Sequence, residues 1–210
     1  MIRNGLRWRD APAVYRPHKT LYNRFVRWSR MGIFDRIFAN LAAESGPPDR
    51  VMIDSTHLKA HRTAASLLKR GISPRLIGRT KGGLNSKLQA VCDGAGRPVI
   101  FLLTEGQMSD HKGAALIYPM LPDAETIIAD KGYDSDAFRD ALAGRGITPC
   151  IPPRAKRRYC KTLYRQRHKV ENMFARPKDW RRFSMRYDRC THTFFSTICV
   201  AATVIFWLGQ

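Results

Sequence analysis

Paired cysteines, membrane-length apolar runs and acidic side chains are what this sequence has least of. Its five cysteines, Cys92, Cys150, Cys160, Cys190 and Cys199, are odd in number and include no C-x-x-C pair. That argues against a disulfide framework and a zinc ribbon, and points to the reducing cytoplasm. The longest apolar stretch, FFSTICVAATVIFWL from Phe194 to Leu208, falls short of the roughly 20 residues that span a bilayer and reads as a buried C-terminal helix. The start, MIRNGLRWRD, has no apolar stretch to serve as a signal peptide, and there is no lipidation motif or internal repeat. Acids are outnumbered, 17 Asp and Glu against 37 Lys and Arg, for a formal charge of +20. A field of that size attracts polyanions, so DNA or RNA is the first partner to consider. An anionic membrane is the competitor, but the charge is spread along the chain rather than gathered on one amphipathic helix, so no membrane partner is expected.

What is present suffices for a core. With 44% hydrophobic residues, the chain can form one domain of about 150 residues plus a smaller appendage. Residues 1–46 carry apolar side chains at spacings of three and four, predicting two short helices broken near Gly32 and closed by the linker ESGPPDR. Residues 47–210 form the second unit. VMIDSTHL alternates as a strand, with Met52, Asp54 and Thr56 on one face. A basic surface insertion follows at about 61–81, holding Arg62, Lys69, Arg70, Arg75, Arg79 and Lys81. SKLQAVCD and PVIFLLTEG, joined by GAGR, read as a hairpin. HKGAALIYPML reads as a helix, TIIAD as a buried strand, KGYDSDAFRDALAGRG as a helix capped by Asp134 or Ser135, and ITPCIPP as a last strand. The fold class is α/β, a mixed sheet with flanking helices.

Three acids stand apart by position. Asp54 lies on the first strand, Asp130 at the C-terminal end of the later β-branched strand, and Glu171 in YRQRHKVENMFARPKDWRR, where it is surrounded by cations. On a helix, Tyr164, Glu171 and Lys178 recur every seven residues, with Arg167 one turn before Glu171. If the three carboxylates converge, they supply hard oxygen ligands for Mg²⁺, two ions of which suit in-line phosphodiester displacement. Asp134 and Asp136 fit helix capping. His57 and His61 suit solvent or DNA contact better than zinc, and Trp28, Trp180 and Trp207 suit packing.

The spacing Y-x2-R-x3-E-x6-K, met by Tyr164, Arg167, Glu171 and Lys178, resembles the signature of bacterial insertion-sequence transposases of the DDE class, the IS-five-like group in particular. WRDAP, YNRFVRWSRMGIFDRI, IDSTHLKAH, GRTKGGLNSKLQAVCDGAGRPV, IADKGYDSDAFRDAL and WRRFSMRYDR look like the same group, so the resemblance covers nearly the whole chain. It implies a ribonuclease-H-like core with Asp54, Asp130 and Glu171 as the catalytic, metal-holding triad. It also implies DNA transposition with two Mg²⁺ ions, or Mn²⁺ as substitute, by a homo-oligomer on DNA. Tyr164, Arg167 and Lys178 would contact DNA near the cleavage site, and Lys69, Arg70, Arg75, Arg79 and Lys81 would add a basic grip on phosphates.

Two departures from the group are visible. The chain begins inside the region where relatives carry further N-terminal helices, as a shortened copy or one part of a frameshifted pair would. Pro177 stands where relatives usually carry an apolar helix former, and is expected to bend or end the helix near Arg176, costing Lys178 its register. The alternative function is a catalytically impaired remnant that binds DNA or inhibits the full enzyme. A ribonuclease-H-like nuclease with another substrate is a third reading, which the basic helix disfavours.

Overall fold

In the computed structural model, which describes residues 1–66, 75–153 and 158–208, the alternating segment after the ESGPPDR linker is the central strand of a seven-stranded sheet. This strand, β1 (Arg50–Ala60), pairs antiparallel with β3 (Gly83–Asp93), which turns back through Gly94 and Gly96 into β4 (Pro98–Glu105). A short arm, β2 (Gly78–Thr80), pairs with the beginning of β3 on the same edge as β4. On its other edge, β1 is joined in parallel by β5 (Thr126–Ile128) at its start and by β7 (Met185–Arg186) at its end; β6 (Thr148–Cys150) lies parallel outside β5. The antiparallel meander β4-β3-β1, extended by the parallel crossover strands β5 and β6, is a ribonuclease-H-like sheet.

Because side chains alternate across a strand, successive β1 residues feed two cores. Val51 and Ile53 pack under α4 (Asp110–Ile117) and α5 (Asp136–Gly144), with Ile117, Phe138 and Leu142. Met52 and Leu58 face Val170, Met173 and Phe174 of α7 (His168–Lys178), and Phe194 and Ile198 of α9 (Thr191–Ala202). Asp54 therefore continues the Met52 face, toward α7, while Ser55 points toward α4. The N-terminal helices α1 (His18–Arg30) and α2 (Ile33–Ala43) break at Gly32, whose φ of 64° suits glycine. Phe38 of α2 enters the main core and stacks on Phe101 with ring centroids 5.0 Å apart.

Several elements differ from the sequence reading. Strands β2 and β7 were not expected, since each is too short to show a period. The insertion contains α3 (Arg62–Ala65) and β2; Lys69 and Arg70 lie outside the described residues. The helix expected as one piece across Tyr164–Lys178 is α6 (Lys161–Tyr164), a 3-10 turn over Arg165–Arg167, then α7. A short α8 (Arg181–Ser184) leads into β7.

The apolar C-terminal run is α9, continued by a π-helical turn over Thr203–Leu208. Its 18 residues are apolar enough to cross a membrane by composition, yet 56% of that span is buried inside the protein. Trp180 and Trp207 pack against the main core and Trp28 against Phe34, and all five cysteines are free thiols.

Arg186 ties β7 to the sheet. It is wholly buried: Nη1 donates to Ser86 Oγ at 2.6 Å and to the Leu76 carbonyl at 3.4 Å, Nε to the Asp188 carbonyl at 3.0 Å, and Nη2 to the Arg189 carbonyl at 3.3 Å. Its guanidinium lies 4.9 Å from the Phe194 ring centroid. Burial pushes its pKa down to about 10, with Asp188 opposing, so it stays charged at neutral pH.

Candidate active site

The parallel register of β1 and β5 sets two of the acids side by side. Ile128 is the partner of Met52, and two residues beyond each stand Asp130 and Asp54, just where β5 has ended and before β7 takes up the β1 edge. Asp54 is buried, with a side chain 13% exposed, and its Oδ1 accepts the Ser55 N–H at 2.8 Å. Asp130 caps the turn after β5, accepting the Gly132 N–H on Oδ1 at 2.7 Å.

The third acid arrives from α7. Arg167 Nη2 donates to Asp54 Oδ2 at 2.7 Å, and Nη1 of the same guanidinium donates to Glu171 Oε1 at 2.6 Å. One planar fork thus bridges a strand acid and a helix acid. Asp130 adds its charge to the fields on both Asp54 and Arg167. Burial, aided by Asp130 and Asp110, pushes the Asp54 carboxyl up to about 6 against the pull of Arg167 and the Ser55 N–H. Glu171 is more open, its side chain 56% exposed. Among the described residues no three His, Cys, Asp or Glu side chains are already gathered closely enough to hold a metal ion. Arg167 separates Asp54 from Glu171 and supplies the positive charge between them.

The helix is anchored along its length. Gln166 Oε1 accepts from Arg50 Nη1 at 3.1 Å, and Lys169 Nζ donates to the Gly94 carbonyl at 2.6 Å. Gly96, with φ of 84°, allows the hairpin turn to approach the Lys169 backbone; a side chain there would meet the Lys169 carbonyl at 3.3 Å. Lys178 Nζ donates to Thr56 Oγ1 at 2.7 Å.

That last contact corrects the reading of Pro177. The helix runs through Pro177 and ends at Lys178, which keeps its reach to β1. Proline lacks one backbone donor and crowds the carbonyl four residues back, but here a single helical residue follows it, and Pro177 itself is buried. Pro177→Leu is therefore expected to leave cleavage at saturating metal within about threefold of the parent. Since ~1 Å of misplacement can cost ~100-fold, a gain beyond tenfold in a cleavage assay would show that the proline does disturb the site.

The remaining candidate residues are dispersed, apart from Tyr164, which lies in the field of Arg167, Asp130 and Asp54. Tyr164 is half-buried, edge-on to Tyr159 at 5.5 Å. Arg79 and Lys81 are exposed on the β2 arm, whereas Arg75 spends Nη1 on the Ala65 carbonyl at 2.8 Å. His57 and His61 bond within the protein, to the Gly106 carbonyl at 2.9 Å and to Thr63 Oγ1 at 2.9 Å. Asp136 lies in the first turn of α5, while Ser135 supplies the cap and Asp134 pairs with Arg139 at 2.7 Å.

Sequence reasoning missed Asp110 and Lys87. Lys87, buried on β3, pairs with Asp110 at 2.8 Å, and Asp110 also accepts from Ser55 Oγ at 2.8 Å. Asp110 follows the α4 cap Ser109 and so reads as an ordinary first-turn acid.

The sequence profile of the family described as "Transposase DDE domain" matches residues 45–205. This chain belongs to the DDE transposase family. A second profile, "Putative transposase of IS4/5 family", matches residues 1–38 of this DDE family member. Relatives include an "Uncharacterized protein y4sN" of Sinorhizobium fredii, 40% identical over 36% of this chain and 61% of its own length. The "Putative transposase for insertion sequence element IS6501" of Brucella ovis is 30% identical over 60% of this chain and 99% of its own length. The "Putative transposase for insertion sequence element IS402" of Burkholderia cepacia is 28% identical over 84% and 86%. Among solved structures, the pre-cleavage Mos1 transpososome aligns at a TM-score of 0.33 and 9% identity, over 73% of this chain and 60% of that one. The Mos1 strand transfer complex aligns at 0.38 and 12%, over 92% and 66%. This chain thus spans about three fifths of the first matched relative and of the first matched structure. The DDE family cuts and joins DNA with divalent metal ions.

Proposed function

We propose that this chain is the transposase of an insertion sequence, cleaving DNA at the element's ends and transferring the strands with Asp54, Asp130 and Glu171 as its catalytic carboxylates. The observation that carries the reading is the Arg167 fork joining Asp54 to Glu171 beside Asp130, in a chain whose profile match spans 45–205. The donor set fits a hard divalent cation, since Asp54 is a buried carboxyl with the charge of Asp130 near it and Glu171 across the Arg167 fork. Asp54 and Asp130 would hold Mg²⁺, or Mn²⁺ in its place, with Glu171 completing a two-ion site. When bound, the ions supply activation of the attacking oxygen and stabilisation of the leaving one.

The chain's own groups do the rest. Arg167 orients Asp54 and Glu171, and Lys178, exposed at the end of the same helix, is placed to meet a backbone phosphate next to Thr56. Tyr164 lines the approach one turn earlier. Arg79 and Lys81 extend the basic surface to the sheet's far edge, and a homo-oligomer on DNA would bring two element ends together. The five free thiols suit the reducing cytoplasm. No observation favours the impaired-remnant alternative.

The electrostatic part is tested by titrating duplex end DNA at several salt concentrations. Affinity is expected to fall linearly on logarithmic axes, by about 0.9 per phosphate contacted. Replacing Arg79 and Lys81 with Ala is expected to reduce that slope by ~2; affinity indifferent to salt would remove the phosphate grip.

A further inference from the structure

The polar cluster on the opposite face of β1 from Asp54 has no part in the reading above. Its centre is Asp110. Oδ1 accepts from Ser55 Oγ at 2.8 Å and pairs with Lys87 Nζ at 2.8 Å; Lys87 donates also to the Met108 carbonyl at 2.9 Å. The other oxygen, Oδ2, faces the turn that follows Asp130. A side chain on Gly132 would stand 3.1 Å from Asp110 Oδ2 and 2.8 Å from Asp130 Oδ1, so glycine there lets the two acids close on one turn. Tyr133, wholly buried, donates its hydroxyl to Gln89 Oε1 at 3.0 Å and interacts with both Asp110 and Ser55.

Asp110 thus touches three elements: β1 through Ser55, β3 through Lys87, and the turn after β5 through Gly132 and Tyr133. Two of these carry catalytic acids within two residues of the contact. Burial alone would push the Asp110 carboxyl up; the hydrogen bond and charge of Lys87, with the Ser55 hydroxyl, outweigh it and hold the group below the ordinary carboxylate value. Asp110 is therefore a fixed anion, with Oδ1 engaged by Ser55 and Lys87 and Oδ2 turned to the Gly132 turn.

We propose that Asp110, held by Lys87, is a positioning residue that sets the spacing of Asp54 and Asp130 from behind the sheet, and is not itself a metal ligand. The inference rests on the catalytic reading above. Asn keeps the shape and one Oδ1 acceptor for Ser55 and Lys87, though it removes the counter-charge of the buried Lys87, whereas Ala keeps neither shape nor acceptor. Outer partners of metal ligands are typically worth 10- to 100-fold in affinity or activity.

The test measures Mn²⁺ binding to the purified full chain by titration calorimetry, and cleavage of end DNA as a function of Mn²⁺. Asp110→Ala is expected to weaken Mn²⁺ binding and lower cleavage at saturating Mn²⁺, each by about 10- to 100-fold, with Asp110→Asn restoring both to within about fivefold of the parent. Asp110→Asn as defective as Asp110→Ala would overturn the proposal in favour of direct ligation. So would an Asp110→Ala protein that binds Mn²⁺ and cleaves normally, whatever its melting temperature. Should Asp110→Ala fail to fold, Ser55→Ala is expected to show a weaker form of the same two losses, and full function in it would equally overturn the proposal. Asp54→Asn run alongside separates the two readings: if it retains cleavage, the catalytic assignment fails; if it abolishes cleavage while Asp110→Ala does not, only the positioning role fails.

Discussion

Asp54→Asn is expected to abolish strand cleavage while making the metal-free protein more stable. The loss follows from removing a carboxylate that is to hold the metal, whose charge stabilisation is worth several kcal/mol, so the rate should fall by at least ~1000-fold. The gain follows from burial. A carboxyl raised to about 6 against an unfolded value near 4 makes ionisation at pH 7 cost up to ~3 kcal/mol, part of it offset by Arg167 losing its partner. We expect ~1–2 kcal/mol, or about 2–8 °C in melting temperature at pH 7. The sign is checked by pH. The cost of the ionised Asp is fully present above the folded value and disappears as pH falls toward the unfolded one, so the advantage of Asn should shrink between pH 7 and pH 4. Thermal melts of both proteins across that range, with DNA binding measured beside them, decide it. A destabilised Asn variant that also loses DNA binding would mean that Asp54 serves the fold instead.

Arg186→Ala is expected to be the most damaging single change away from the active site, at ~3–5 kcal/mol. Truncation would leave a cavity the length of an arginine, remove the cation from the Phe194 ring, and take the donor away from the Asp188 and Arg189 carbonyls, while Ser86 Oγ keeps its bond to the Leu76 carbonyl. For a chain of this size that corresponds to a fall of about 10 °C in melting temperature. Arg186→Met fills most of the volume and is expected to recover part of the loss. A melting temperature within 2 °C of the parent for Arg186→Ala would show that the buried guanidinium contributes nothing net.

Much of the architecture was legible because it depends on local period. VMIDSTHL assigns its residues to two faces by alternation alone, putting Asp54 on the face of Met52, which in the structure packs against the helix that carries Glu171. TIIAD ends where Asp130 begins a turn, and GAGR marks the β3–β4 hairpin by its glycines. What escaped depends on partners distant in sequence. Lys87 is buried only because Asp110 stands opposite, and no pattern within either segment announces the other. Likewise β7 is two residues long, and Arg186 looks like one more cation in a basic stretch until Ser86 and Leu76 surround it. The Pro177 expectation failed for a positional reason: the rule for helix interiors was applied to the last turn, where almost no helix remains to be broken.

The anchors on α7 carry a mechanical consequence. Held by Arg50 and the Gly94 carbonyl at one end and by Thr56 at the other, the helix resembles a beam fixed at both supports more than a lever swinging from one. Glu171 lies between the supports with more than half its side chain exposed. Its backbone is tied at both ends, so in the proposed metal-holding role Glu171 would adjust by rotating about its own side-chain bonds. Such rotations take picoseconds to nanoseconds, whereas collective shifts of packed elements take microseconds to milliseconds. Adjustment of this carboxylate would then be far faster than any shift of the helix that carries it.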